Sequence, residues 1–341
     1  MIKKLQLEKQ SRKWRLLFLF STSIVLLIIG ILISLKWGAA YVSWKTLYEA
    51  LTYQGHEKAH LYIQTLRLPR TLTACIVGIH LALAGLLTQL TTKNPLASPH
   101  VFGINAGASL AVVLGLVAVA NFSIMDSMLF AFVGAAAGAL LVWSLIGGTG
   151  QKQYVRLALA GISVHFMLSS LTEGLIILNQ FSTDSMIFWL VGSVNQAAWL
   201  DVRTILPFTI LGLLAFSLML PSFRMLMMED EIAAGLGQRV AVVRAIGMLL
   251  VIILSGSAVA ICGPIGFVCL IVPHIARSLI GINLAALAPL TAVLGAVLLV
   301  YADFISRFID FPYESPVGIV TAAIGAPFFI YLARKKGDAK S

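Results

Sequence analysis

Eight stretches of this 341-residue chain run for 19 residues or longer without a charged side chain, and a ninth, 157–180, is interrupted only by Glu173. The eight fall at 16–35, 71–92, 94–125, 127–151, 204–223, 245–276, 278–302 and 315–333. A helix needs about 20 apolar residues to cross the hydrocarbon core of a bilayer. Hydrophobic residues make up 59% of the chain and charged residues 11%, where a soluble domain carries roughly 25% charged. Too few polar side chains remain to cover a water-facing surface. Lipid is the solvent, and the chain is expected to be an all-α integral membrane protein, a single transmembrane domain over 1–341.

The run 245–276 is long enough for two elements and contains Gly263-Pro264, a helix breaker. A break there raises nine spans to ten. Charge decides between the counts, because Lys and Arg concentrate on the cytoplasmic side. With ten spans and both termini cytoplasmic, 17 of the 24 Lys and Arg lie inside; nine would put Arg334-Lys335-Lys336 outside. The expected inner segments include a tail at 1–15, a charged stretch at 222–244 and a tail at 335–341. Residues 1–15 carry six basic residues before a 20-residue apolar run, too long for the apolar region of a cleaved signal, so it reads as a retained first helix. Two outer stretches, 37–69 and 181–203, are long enough to fold locally.

The net charge of +10 raises nucleic acid as a partner, but the cations sit in short clusters between apolar runs, and no basic helix with interleaved aromatics occurs. Membrane lipid, not nucleic acid, is the expected partner of that charge. Enzyme chemistry has no visible basis. Stretch 147–152 lacks the Gly-Lys-Ser/Thr ending of a phosphate-binding loop. The six histidines have no metal-like spacing, and Cys75, Cys262 and Cys269 read as buried apolar groups. No catalytic, metal or resident cofactor site is expected. Only Glu173 lies well inside a span, too little for a proton relay. A transporter of this kind takes its energy from another subunit; the competing class is a stand-alone ion-coupled carrier.

Several local patterns carry structure. In Glu229-Asp230-Glu231-Ile232-Ala233-Ala234-Gly235-Leu236-Gly237, acids open a short segment and glycine closes it, as in a short helix with its N-terminus favouring negative charge. Asn94-Pro95 makes a turn, and Gly103 and Gly107 allow close helix packing. Gly263-Pro264-Ile265-Gly266 is either a simple break or a hinge. Pro273-His274 stands near an inner boundary, where a lone histidine is not a metal site. On the outer side, Arg67, Arg70 and Arg307 oppose the orientation bias. They either anchor helix ends or form two-point bonds with carboxylates of a partner.

Four segments, in order, resemble one known family. They are Arg67-Leu68-Pro69-Arg70-Thr71; Lys93-Asn94-Pro95-Leu96-Ala97-Ser98-Pro99 with Gly103 to Ala108; Gly263-Pro264-Ile265-Gly266-Phe267 running to Val272-Pro273-His274-Ile275-Ala276-Arg277; and Ala302-Asp303, Arg307, Glu314-Ser315-Pro316-Val317-Gly318, Thr321 and Gly325-Ala326-Pro327-Phe328. Together, over about 40–334, they resemble the FecCD family, permeases of type II ABC importers for ferric siderophores, haem and cobalamin. Lys93 stands where the family usually has Arg, and Ile282-Asn283-Leu284 where it often has Asp-His-Arg. The resemblance implies a ten-helix permease in a bacterial cytoplasmic membrane, paired with an identical or homologous permease. It implies two cytoplasmic ATPase subunits that use the ATP, and an extracellular substrate-binding protein. Residues 229–237 would be the coupling helix seated on the ATPase. Arg67, Arg70 and Arg307 match arginines that receive acids of the binding protein. Ferric siderophore is the first cargo implied, with haem and cobalamin behind it.

Overall fold

The structure is a computed structural model that describes residues 2–38, 42–55, 57–146, 153–179, 189–311 and 313–338. It is built from helices: α1 (Ile2–Lys36), α2 (Trp44–Leu51), α3 (Lys58–Tyr62), α4 (Leu68–Thr91), α5 (Ile104–Ala118), α6 (Ile124–Ile146), α7 (Gln153–Leu178), α8 (Trp199–Met225), α9 (Asp230–Gly235), α10 (Val240–Cys262), α11 (Val268–Ile280), α12 (Leu284–Ser306) and α13 (Val317–Asp338). Among the described residues, seven helical segments are long and apolar enough to cross a membrane. The continuous segment Lys58–Thr91 is one of them. Ile104–Ala118, Val268–Ile280 and Val317–Leu332 are shorter apolar helices.

Helix α4 is the hub and is buried along most of its length, packed between α12, α10, α11 and α8. Its approach to α12 depends on Gly78 and Gly295: a Cβ on either would lie 2.3 Å from the other's carbonyl oxygen. The same device joins α5 to α6, where Gly107 faces Gly134 and Gly103 faces Gly138, so the expectation for Gly103 and Gly107 is met. Without a hydrophobic force between helices in lipid, such backbone contact supplies much of the association. His80, buried at mid-length of α4, pairs with Thr209 of α8 at 2.8 Å and Ser257 of α10 at 3.0 Å. That is a packing role for a lone histidine, and the three cysteines are likewise buried and free.

The expected break in run 245–276 is present. Helix α10 ends at Cys262, Gly263 adopts φ +67, and α11 begins at Val268. A Cβ at Gly263 would lie 2.3 Å from the Trp189 carbonyl. The loop after α7 tucks into this break: Ser193 N–H donates to the Cys262 carbonyl at 2.7 Å, and Gly318 N–H at the start of α13 donates to Gly192 at 3.0 Å. Pro264 therefore lies in the irregular stretch, while Pro273 is buried within α11. On the far side of α11, the His274 ring meets Phe328 of α13 edge-on.

Helix ends do not coincide with the charge-free runs. Helix α1 begins at Ile2, so the stretch expected as a tail at 1–15 is itself helical, being rich in strong helix formers and free of Gly and Pro. Run 94–125 yields helix only from Ile104, after an Asx turn in which Asn94 Oδ1 accepts from Leu96 N–H, and a 3₁₀ turn at Pro99–Phe102. Pro95 sits in that turn, as expected. The last helix continues to Asp338, so the tail expected at 335–341 is helical over its first part; 339–341 lie outside the described residues, as do 147–152 and part of 181–203.

Candidate functional site

At one end of the bundle, charged side chains from four elements converge. Arg70 stands in the first turn of α4, and Asp303 in the last turn of α12. Arg70 donates from Nε and Nη2 to Asp303 Oδ1 at 2.9 and 2.8 Å, and from Nη1 to Glu314 Oε2 at 2.5 Å. Arg307, one turn beyond Asp303, bonds Asp303 Oδ2 through Nη2 and reaches Ser34 of α1 through Ser34 O and Oγ, both at 2.9 Å. Arg67 closes a π turn at Ile63–Arg67 and donates to the carbonyls of Leu35 and Lys36 at 2.8 Å each. Those are terminal carbonyls of α1, which lack partners inside the helix, and a cation there also complements the helix dipole.

Burial decides what this cluster can do. Asp303 is 1% exposed and all three arginines are buried, whereas Glu314 keeps 36% of its side chain open. A carboxylate at the position of Asp303 survives burial only because two guanidinium groups bracket it. Arg67, Arg70 and Arg307 are thus buried, and the donors named above bond within the chain. Nothing in the local sequence around Asp303 and Glu314 shows that Arg70 is their partner. The i, i+4 spacing of Asp303 and Arg307 is the one local signal of the ion pair.

The second assembly lies between α8 and α10. Glu229 precedes α9, and Asp230 and Glu231 occupy its first turn. At the other end Gly237 takes φ +87; its N–H donates to Ala234, and Gln238 N–H donates to Ala233. This pair of bonds is a Schellman closure, which only a left-handed residue completes. The expected short helix with a glycine cap is therefore present. Ala233 is buried, while Ile232, Leu236, Met227 and Met228 are exposed, and nothing lies within 4 Å of a Cβ built at Gly235 or Gly237. Ala234 is exposed as well.

Asp230 ties this helix to the bundle. Its carboxylate is 2.7 Å from Lys93 Nζ and 3.0 Å from Arg244 Nη2, and Lys93 also donates to the Met228 carbonyl at 2.5 Å. Partial burial pushes its pKa up, but the hydrogen bonds and charges of Lys93 and Arg244 outweigh this and hold it below the usual aspartate range. Lys93 belongs to the turn leaving α4 and takes φ +50 there. The cation that the sequence marked as a departure from the family pattern is thus a strut between α4 and α9.

A bundle of spanning-length helices, with a buried ionic cluster at one end and a short helix beside exposed Ile232 and Leu236 at the other, is that of a multi-pass membrane protein. The chain belongs to the FecCD transport family, matching it over residues 26–335. It is 47% identical over 324 residues to the Fe(3+)-citrate import system permease protein YfmD of Bacillus subtilis (strain 168), covering 95% of this chain and 96% of that protein. It is 39% identical over 304 residues to the Fe(3+) dicitrate transport system permease protein FecD of Escherichia coli (strain K12), covering 88% of this chain and 93% of that one. A solved structure described as an inward-facing metal-chelate type ABC transporter superposes with a TM-score of 0.81 at 30% identity, covering 93% of this chain and 99% of the other. The resemblance read from four short motifs is borne out along nearly the whole chain.

Proposed function

We propose that this chain is the membrane-spanning permease of an ATP-driven importer that carries a ferric chelate into the bacterial cytoplasm. The observation that carries the reading is 47% identity to a ferric-citrate permease over 95% of the chain. Ferric citrate is accordingly placed ahead of other siderophores, and these ahead of haem and cobalamin. Seven spanning-length helices and three shorter apolar ones support ten spans with both termini cytoplasmic. An impermeant thiol reagent on intact cells should label Lys58→Cys and leave Arg334→Cys untouched; the reverse would overturn this topology.

The assembly proposed around it is a second, homologous or identical permease, two cytoplasmic ATPase subunits and an external binding protein. Exposed Ile232 and Leu236 on α9 give an ATPase an apolar seat, with Glu229, Glu231, Ala234, Gly235 and Gly237 around it. On the outer side, Arg70 with Arg67 and Arg307 beneath it would receive an acid of the binding protein. Glu314, half-open to solvent on Arg70, would give way to that acid, an exchange of one carboxylate for another at the same guanidinium.

Uptake of radioactive iron tests the function. Cells lacking the chain should lose ATP-dependent uptake of ferric citrate and regain it on complementation. Unchanged uptake of ferric citrate and of hydroxamate and catecholate chelates would overturn the reading, as would transport by the purified chain in vesicles without an ATPase.

A further inference from the structure

The short helix α2 presents three faces, and the fold explains two of them. Leu47 and Ala50 are buried against Leu35, Val42 and Ile63. Lys45 and Glu49 pair at 3.8 Å on a second face, and Glu49 also reaches the buried His60 of α3 at 3.3 Å. Trp44, Tyr48 and Leu51 form a third, exposed stripe. At 3.6 residues per turn, this stripe lies about 100° round from the buried face, and the ion pair lies about 110° beyond it. A helix along the flank of a membrane bundle needs that order: protein to one side, lipid beneath, water above.

Its level in the membrane follows from α1. Lys36 is the last residue of α1, and its ammonium sits 4.1 Å from the Trp44 ring and 4.4 Å from the Trp37 ring, the two indoles meeting edge-on at 86°. Trp44 is therefore held level with the end of the apolar stretch of α1. Below it α1 exposes Val25, Ile28 and Ile29, so the stripe continues a lipid-facing surface. Tryptophan and tyrosine favour that boundary because an apolar ring and a polar edge are both satisfied there.

We propose that α2 is an in-plane membrane anchor whose Trp44–Tyr48–Leu51 stripe rests in the headgroup–acyl boundary of phospholipid, with Trp37 and Lys36 at its edge. The anchor is independent of the cargo and of the ATPase; only its assignment to the outer leaflet rests on the proposed topology. It also carries the functional end of the bundle. The core under α2 contains Leu35, whose carbonyl accepts from Arg67, and Ile63, which opens the π turn that Arg67 closes.

All three native thiols are buried, so introduced cysteines can be labelled selectively. Spin labels at Tyr48→Cys and Leu51→Cys, with Lys45→Cys as the polar-face control, are read in the intact permease in phospholipid vesicles. The oxygen-to-nickel-chelate collision ratio should be about threefold or more higher at 48 and 51 than at 45. Equal ratios would overturn the anchor. So would a loss of collisions at 48 and 51 on adding the binding protein, which would mark a protein docking face. If a label disturbs folding, brominated phospholipid gives a second reading: it should quench wild-type tryptophan fluorescence more than that of Trp44→Phe, and equal quenching would overturn the contact. Protection of Lys45→Cys from an impermeant thiol reagent on intact cells would overturn the outer-leaflet assignment.

Discussion

Arg70 and Asp303 lie 233 residues apart in sequence and form a two-point ion pair in the buried end of the bundle. The pair ties α4, the hub, to α12, its principal neighbour, at the end opposite Lys93 and α9. Arg307 and Ser34 extend it to α1. One carboxylate thus fixes the relative height of three helices.

Removing that carboxylate leaves two guanidinium groups buried without their counter-ion. Breaking a buried pair in this way costs about 3–5 kcal/mol. Asp303→Ala should therefore lower the thermal unfolding midpoint of the purified permease sharply, and Asp303→Asn less, since the amide oxygen still accepts a hydrogen bond. A midpoint unchanged in Asp303→Ala would mean that the cluster is not under the constraint described.

Glu314 differs from Asp303 because it is partly solvated, so its pair with Arg70 contributes only about 0–1 kcal/mol. Glu314→Gln should leave the unfolding midpoint nearly unchanged. If a docked acid takes its place on Arg70, the same change should raise the affinity of the binding protein several-fold at low salt, with the gain shrinking as salt rises. Equal affinities at low salt would remove Glu314 from the docking step. This single neutralisation is more informative than reversing Arg67, Arg70 and Arg307 together, which would also dismantle the buried network.

The two assemblies were legible in the sequence to different degrees, for physical reasons. The α9 segment is local: acids at its start, small residues within and Gly237 at its end are all neighbours in sequence. The break at Gly263-Pro264 was legible for the same reason. Asp303 gave little away, because its partner Arg70 is brought to it only by packing of α4 on α12 through Gly78 and Gly295. Charge-free runs mark where apolar helices form but not their lengths. In 94–125, Pro95, Pro99 and Gly103 add no charge, yet they shorten the helix to Ile104–Ala118. The burial of Arg67 was hidden too, since its acceptors are backbone carbonyls that no side-chain pattern announces.

Acid should loosen the base of α9. The carboxylate of Asp230 is held below its ordinary pKa by Lys93 and Arg244, against the opposing effect of burial. Its contribution is complete above the unfolded aspartate value, near pH 4, and is lost as pH falls through the lower folded value. With 42% of its side chain exposed, the effect is small, about 0–1 kcal/mol. The unfolding midpoints of wild type and Asp230→Asn should differ at pH 7 and converge as the pH drops below about 4. A gap that persists in acid would assign the stabilisation to something other than the charge.

Gly235 is the sharpest probe of what α9 touches. Beyond the adjoining residues and backbone of its own helix, no atom lies within 4 Å of a Cβ built there; the residue is exposed and its φ is not in the left-handed region, so a side chain there leaves the permease surface outward. Gly235→Trp should therefore leave insertion and the unfolding midpoint close to wild type, with a helix-propensity change of less than about 1 kcal/mol. Against an ATPase seated on Ile232 and Leu236, the same indole would hold the two surfaces apart. ATP-driven uptake should fall at least tenfold while binding-protein docking on the outer face is retained. Gly237→Trp is a poorer test, because φ +87 makes any side chain there strain the Schellman closure and confounds contact with folding. Normal uptake by a correctly inserted Gly235→Trp permease would move the coupling contact away from α9.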